Sequence, residues 1–313
     1  MMESKLTIIQ GLIPWEYELP AGFTVRGYHS KPSGRPVLHF IHGNGFCGLT
    51  FEHLLVEFQN DYDLFISDGQ GHGDSDEGGA YPGWNKSAHD FEQVWLHFSP
   101  LWKGVPKIAL GHSYGAVMST LIMAKNPDLF DYGVLMDPVY SAPSVARTMS
   151  LMTSLGLMKQ MPLAKQARIR SVSWENEQAA WEYFYQRGTF KGWQDECLQS
   201  YLDHALKTHD DGSFHLKCPA RIEAEIFSAY AHKLWASIKL INKPMTMLYG
   251  EKSYSFILKS LPKIRKANPY YDFISMPGGH CFMQEQPEYT AQEIKQKLRF
   301  LLNNKRSKPS SFL

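Results

Sequence analysis

The chain has 313 residues, 43% hydrophobic and 20% charged, enough for one large domain or a core with an insertion. Lys plus Arg number 32 against 31 Asp plus Glu, a net charge of +1, which argues against nucleic acid or an anionic membrane as the main partner. Four cysteines, Cys47, Cys197, Cys218 and Cys281, stand far apart without a CxxC pair, a usage that suits reduced thiols and offers no zinc pattern.

The opening "MMESKLTIIQGLIPWEY" lacks the basic start and cleavage site of a secretion signal. No apolar run nears the roughly 20 residues that span a bilayer, so a cytoplasmic protein without a membrane span is expected. "PVLHFIH" (36–42) and "YDLFISD" (62–68) predict buried strands, followed by the glycine-rich loops "HGNGF" (42–46) and "DGQGHGDS" (68–75). "SAHDFEQVWLHF" predicts a helix and "KIALGH" (107–112) another strand; "YGAVMSTLIMAKN" and "YGVLMD" (132–137) repeat the pair. Strands alternating with helices predict a parallel sheet.

From about Ser141 to Lys239 strand runs vanish, and Met, Trp, Tyr and charged residues recur at helical spacing. "SWENEQAAWEYFYQRG" predicts a helix capped by Ser173 and stopped at Gly188. "MSLMTSLGLMKQM" predicts an apolar helix carrying Met149, Met152, Met158 and Met161, which would either suit an acyl chain or pack the segment together. "KPMTMLYG" (243–250) and "YYDFISMPG" (270–278) restore the strand pattern, and an amphipathic helix from about Glu288 to Leu302 closes the chain. Residues 304–313 read as a flexible tail. The expected division is a core of 1–140 and 240–303 around a helical cap at 141–239 that lies over strand ends like a lid.

"GHSYG" (111–115) fits the G-x-S-x-G nucleophile elbow, with Ser113 the exposed hydroxyl between a strand and a helix. Gly111 and Gly115 are expected because the turn is too tight for side chains two residues either way. With "HGNGF", "DGQGHGDS" and "GGHCFMQEQPE" (278–288) in the same order, the chain resembles the α/β-hydrolase superfamily over nearly its full length. Its 141–239 segment is similar to the cap of a subgroup of bacterial and fungal esterases and lipases.

The resemblance implies a mostly parallel, doubly wound sheet with the cap inserted after its sixth strand. It also implies that His280 is the general base, and that the N–H groups of Asn44 and Tyr114 form an oxyanion hole. His42, His72 and His112 are expected to bond loops, and His39 to sit in the core. The family's usual acid position, in G-x-x-D, here holds Ser253, within Gly250-Glu251-Lys252-Ser253. Asp137, at the tip of the strand after the nucleophile's helix, is the favoured acid, with Glu251 the alternative.

A serine hydrolase cleaving carboxylic esters of small to medium apolar acyl groups is therefore expected. Phe46, Trp84, Met152 and Met158 would line its pocket, and neither a cofactor nor a metal is required. Asp68 and Asp74 read as part of a structural turn rather than a metal site. The alternatives are a C–C bond hydrolase of the same fold and a non-catalytic ligand-binding protein that kept the pocket.

Overall fold

The computed structural model describes residues 7–306, with side chains through Asn303. Its strands are β1 (Leu12–Leu19), β2 (Phe23–Ser30), β3 (Val37–Ile41), β4 (Asp63–Ser67), β5 (Lys107–His112), β6 (Tyr132–Met136), β7 (Ser173–Trp174), β8 (Leu206–Thr208), β9 (Phe214–Leu216), β10 (Met245–Gly250) and β11 (Tyr271–Met276). Eight of them form one sheet in the order β1-β2-β4-β3-β5-β6-β10-β11. β2 pairs antiparallel with both β1 and β4, and the pairs from β4 to β11 are parallel.

The apolar strand runs have a direct cause. Helices cover both faces of a parallel sheet, so alternate residues enter two separate cores. Leu38, Phe40, Leu64, Ile66, Ile108 and Leu110 join one apolar cluster; Val37, Ile41, Phe65 and Ala109 join the other. The helix Pro287–Arg306 closes the first face through Ala291, Ile294 and Leu298. The helices Trp84–Phe98 and Tyr114–Lys125 close the second. Each fully buried Leu, Ile or Phe contributes about 1.5–3 kcal/mol. His39 is in the core as expected, its Nε2 2.9 Å from Ser67 Oγ and its ring stacked 4.8 Å from Trp95.

Between β6 and β10 the chain departs from the expected pattern. The stretch is not wholly helical: β7, β9 and β8 form a three-stranded antiparallel sheet, of strands too short to show a periodic signal. Ser173 lies in β7 and caps nothing. The helix begins at Glu177, where the Asn176 side chain accepts from Ala179 N–H at 2.9 Å, and ends at Phe184, before Gly188. The methionines do not share one helix. Pro143–Ser154 ends before Gly156, whose φ of 69° is in the left-handed region, and Pro162 opens a new helix, Pro162–Ile169. Met158 is buried in the turn between them, a turn that packs against the helix Ala220–Phe227, and Met152 is half-buried.

The closing helix runs past Leu302 to Arg306, so the tail expected from 304 begins as helix, and 307–313 lie outside the described residues. Among the described residues no helix is long and apolar enough to cross a membrane.

Candidate active site

Strand register brings the candidate groups to one edge. Ile41 pairs with Gly111, His112 with Met136, Met136 with Leu248, and Gly250 with Met276. The loops that leave β3, β5, β6, β10 and β11 therefore start side by side at the carboxyl ends of the parallel strands, the usual place for a ligand in an α/β sheet.

Ser113 follows β5 directly, at φ 54° and ψ −113°, and its N–H donates to the Met136 carbonyl at 2.9 Å. A left-handed φ on a serine costs about 1–3 kcal/mol and persists because the surroundings fix it. A Cβ on Gly115 would stand 2.1 Å from the Ile41 carbonyl oxygen, and one on Gly111 2.6 Å from the Gly115 carbonyl oxygen. Both glycines are thus demanded by backbone approaching backbone. Asp137, just after β6, has φ 46°, and its N–H donates to the Leu248 carbonyl at 2.8 Å.

His280 Nε2 lies 2.8 Å from Ser113 Oγ, and His280 Nδ1 lies 2.5 Å from Asp137 Oδ2. Asp137 is fully buried and Ser113 is 9% exposed. Gly250 N–H donates to Asp137 Oδ1 at 3.2 Å, and the Ser253 hydroxyl donates to Oδ2. Ser253, at the position where an aspartate is expected, thus hydrogen-bonds Asp137 at the end of the neighbouring strand. Glu251 is turned away: it is exposed and accepts from Ser275 Oγ at 3.1 Å. The Tyr254 ring lies 4.9 Å from the His280 ring.

Buried imidazoles brace the loop after β3. Burial holds His42 down to about 3, with the nearby His72 adding to the effect, and holds His72 down to about 4. Both are therefore neutral near pH 7. Each donates Nδ1–H to a carbonyl, of Gly43 at 2.8 Å and Gln70 at 2.9 Å, and Nε2 accepts from Gly69 N–H and Gly45 N–H, both at 3.0 Å. His112, kept neutral by burial and by the facing His280, donates Nε2–H to the His280 carbonyl at 3.1 Å. Burial pushes Asp68 up to about 7, and it accepts from Gly48 N–H at 2.6 Å. Asp74 instead pairs with Lys217 at 2.8 Å. Among the described residues no group of three or more His, Cys, Asp or Glu could hold a metal ion.

Tyr114 opens its helix, so its N–H has no acceptor within that helix and stands at the positive end of the helix dipole. Its hydroxyl bonds Ser87 Oγ at 2.5 Å and Tyr81 at 2.9 Å, and its ring meets Trp84 edge-on at 5.2 Å. Asn44 follows Gly43, and its side-chain amide donates to the Glu223 carbonyl at 3.1 Å. The Glu223 carboxylate in turn takes Arg170 Nη1 at 2.7 and 2.9 Å. Burial raises Glu223 above its ordinary value, with Arg170 offsetting part of the rise. Phe46 is buried among His112, Trp193 and Tyr201, with ring centroids at 6.1, 5.6 and 6.0 Å.

Ser253 was the one contributor with a sequence signal, its place where an aspartate is usual. Tyr81, Ser87, Tyr254 and the Arg170–Glu223 pair carry none, because each depends on contacts between distant stretches. The arrangement can move a proton from a strained serine hydroxyl to an imidazole whose other nitrogen is held by a buried carboxylate.

The chain is similar to known proteins along most of its length. It is 24% identical over 266 residues to 2-(acetamidomethylene)succinate hydrolase of Mesorhizobium japonicum, covering 84% of this chain and 88% of that one. It is 33% identical over 154 residues to monoglyceride lipase of Mus musculus, covering 45% of this chain. It spans 48% of that lipase and 31% of the monoglyceride lipase homolog of monkeypox virus, so those matches cover less than half of either relative. Among solved structures, the peroxisomal α/β-hydrolase Lpx1 of Saccharomyces cerevisiae has a TM-score of 0.77 at 18% identity, covering 96% of this chain and 90% of that one. The profile described as serine aminopeptidase, S33, matches residues 32–253, most of the chain. On that match and the shared fold, the chain belongs to the serine aminopeptidase S33 family of α/β-hydrolases.

Proposed function

We propose that the chain is a lipase-like carboxylic-ester hydrolase working through an acyl-enzyme. Ser113 Oγ attacks the ester carbonyl while His280 Nε2 takes its proton, and Asp137 holds the imidazole in the required tautomer and stabilises it once charged. The N–H groups of Asn44 and Tyr114 stabilise the oxyanion, each donor being worth about 3–4 kcal/mol. The tetrahedral intermediate collapses as His280 returns the proton to the leaving alcohol. Water then repeats the attack on the acyl-serine, releasing the acid and restoring the Ser113 hydroxyl.

Residues 141–239 act as a cap that shapes a largely apolar pocket, with Phe46, Trp84, Met152 and Met158 as its candidate walls. The four cysteines are free and buried, which suits action in the cytoplasm. No cofactor enters any step.

The observation that carries the proposal is the unbroken chain from Ser113 Oγ through His280 to Asp137, at 2.8 and 2.5 Å. A fluorophosphonate probe tests it: the native protein is labelled and Ser113→Ala is not. A native protein that stays unlabelled refutes the proposal and favours a non-catalytic ligand-binding protein. A p-nitrophenyl ester series of increasing acyl length then defines the substrate.

A second reading, cleavage of a bond other than an ester, C–C included, draws on the relative that matches 84% of this chain. Its named substrate carries an acetamido group and two carboxylates. Turnover of vinylogous diketones in preference to simple esters would select it.

A further inference from the structure

The near-zero net charge of the whole chain conceals a strongly asymmetric stretch. Between Asp137 and Glu175 there is no acidic residue and there are five basic ones, Arg147, Lys159, Lys165, Arg168 and Arg170. Arg170 is paired with Glu223, and the other four are exposed. The same stretch exposes Val145, Leu151, Leu155, Leu157, Leu163 and Ile169. Leu151, in the last turn of the helix Pro143–Ser154, and Leu155, which caps it four residues on, are 60% and 63% exposed, and Ile169, at the end of the helix Pro162–Ile169, is 85% exposed.

Single exposed apolar residues are ordinary, but so many in thirty-odd residues of continuous chain are not. Helical segments with large apolar side chains, interleaved with lysine and arginine and free of acid, have the chemistry of a surface that lies in a lipid interface. The charge decides between occupants. A second copy of the chain packed two-fold on this patch would set cations against cations, which disfavours association. An anionic lipid headgroup layer matches the cations, while its acyl boundary takes the leucines and the isoleucine.

We propose that the segment 143–172 docks on anionic lipid bilayers. The helix Pro143–Ser154 starts just beyond Asp137, so docking would hold the strand ends that carry Ser113 close to the lipid. The contact itself is independent of acyl transfer; only its use, delivering membrane-borne esters to the site, rests on the function proposed above.

Cosedimentation of the full-length protein with vesicles tests this, comparing phosphatidylcholine alone with phosphatidylcholine and phosphatidylglycerol at about 7:3. The expected result is pelleting with the anionic vesicles at low salt and release at high salt. Each neutralised cation is worth about fivefold in partitioning, so Lys159→Gln with Lys165→Gln weakens binding about 25-fold. Leu151→Asp with Leu155→Asp also weakens it, whereas labelling of Ser113 by the fluorophosphonate probe is unchanged in both double variants and shows them folded. Three outcomes overturn the proposal: no pelleting with either vesicle, pelleting that neither salt nor the variants change, or a dimer in sedimentation velocity that Leu155→Asp dissolves. Because the readout is partitioning, its failure leaves the esterase assignment standing, and loss of labelling in Ser113→Ala leaves the lipid contact standing.

Discussion

Replacing Asp137 by Asn tests the acid assignment at the atom that matters. Asp137 is fully buried, with Gly250 N–H donating to Oδ1 and both His280 Nδ1–H and the Ser253 hydroxyl donating to Oδ2. An asparagine keeps its oxygen toward Gly250 N–H, because its amide hydrogens would otherwise meet another donor. Its NH2 then takes the Oδ2 position and donates to Nδ1, forcing the imidazole proton onto Nε2, where it can no longer accept from Ser113. The expected loss is about 10⁴-fold in kcat, or about 5.5 kcal/mol of transition-state stabilisation. The assay is steady-state hydrolysis of a p-nitrophenyl ester, with thermal unfolding as the check on folding. Adding Ser253→Asp should return at least about tenfold, since Ser253 already hydrogen-bonds the oxygen that holds His280, and Glu251→Gln should leave kcat unchanged. An Asp137→Asn enzyme within about tenfold of the native rate, or a Glu251→Gln enzyme that collapses, would refute the assignment.

Tyr114→Phe should leave kcat near native, since only the backbone N–H is asked to act. It should lower stability by about 1–3 kcal/mol in urea unfolding, because Ser87 and Tyr81 lose a buried partner. Gly115→Ala should cost more than about 3 kcal/mol or prevent folding, as its Cβ would stand 2.1 Å from the Ile41 oxygen. Burial pushes the Glu52 carboxyl up, but hydrogen bonds and charge from His204, with the Ser200 and Thr7 hydroxyls, outweigh it and hold the group down to about 2. Its folded value lies below the ordinary 4.5, so its stabilisation is present above that pH and is lost as pH falls toward 2. The loss amounts to about 3 kcal/mol and should flatten in Glu52→Gln, measured by unfolding between about pH 5 and pH 2.

The inner parallel strands were legible because each is buried on both faces and reads as a largely apolar run, whereas β11, at the sheet edge, exposes Asp272 and Ser275. The turn at Ser113 was legible because two glycines at fixed offsets have a steric cause that any five-residue window displays. The role of Ser253 was half legible. Its departure from an aspartate was plain, but its bond to Asp137 joins two strands whose adjacency only the sheet order creates. The three-stranded sheet of the intervening segment escaped notice because β7 has two residues and β8 and β9 three each, too few for a period-two signal. The break in the methionine-bearing stretch was written as Gly156 and Pro162, outvoted by apolar spacing that continues on both sides.

Asn44 ties the loop after β3 to the carbonyl of Glu223, far along the chain in the stretch between β6 and β10. Ser113, Asp137 and His280 all hang from strand termini outside that stretch. A graft that exchanged residues 143–240 for those of another family member would therefore keep these three residues and, on the proposed role of the cap, change the choice of substrate. It would also cut this hydrogen bond and the packing of Phe46 on Trp193 and Tyr201, so the chimera would need a carbonyl in the place of Glu223 and rings in the place of the other two to keep the loop seated.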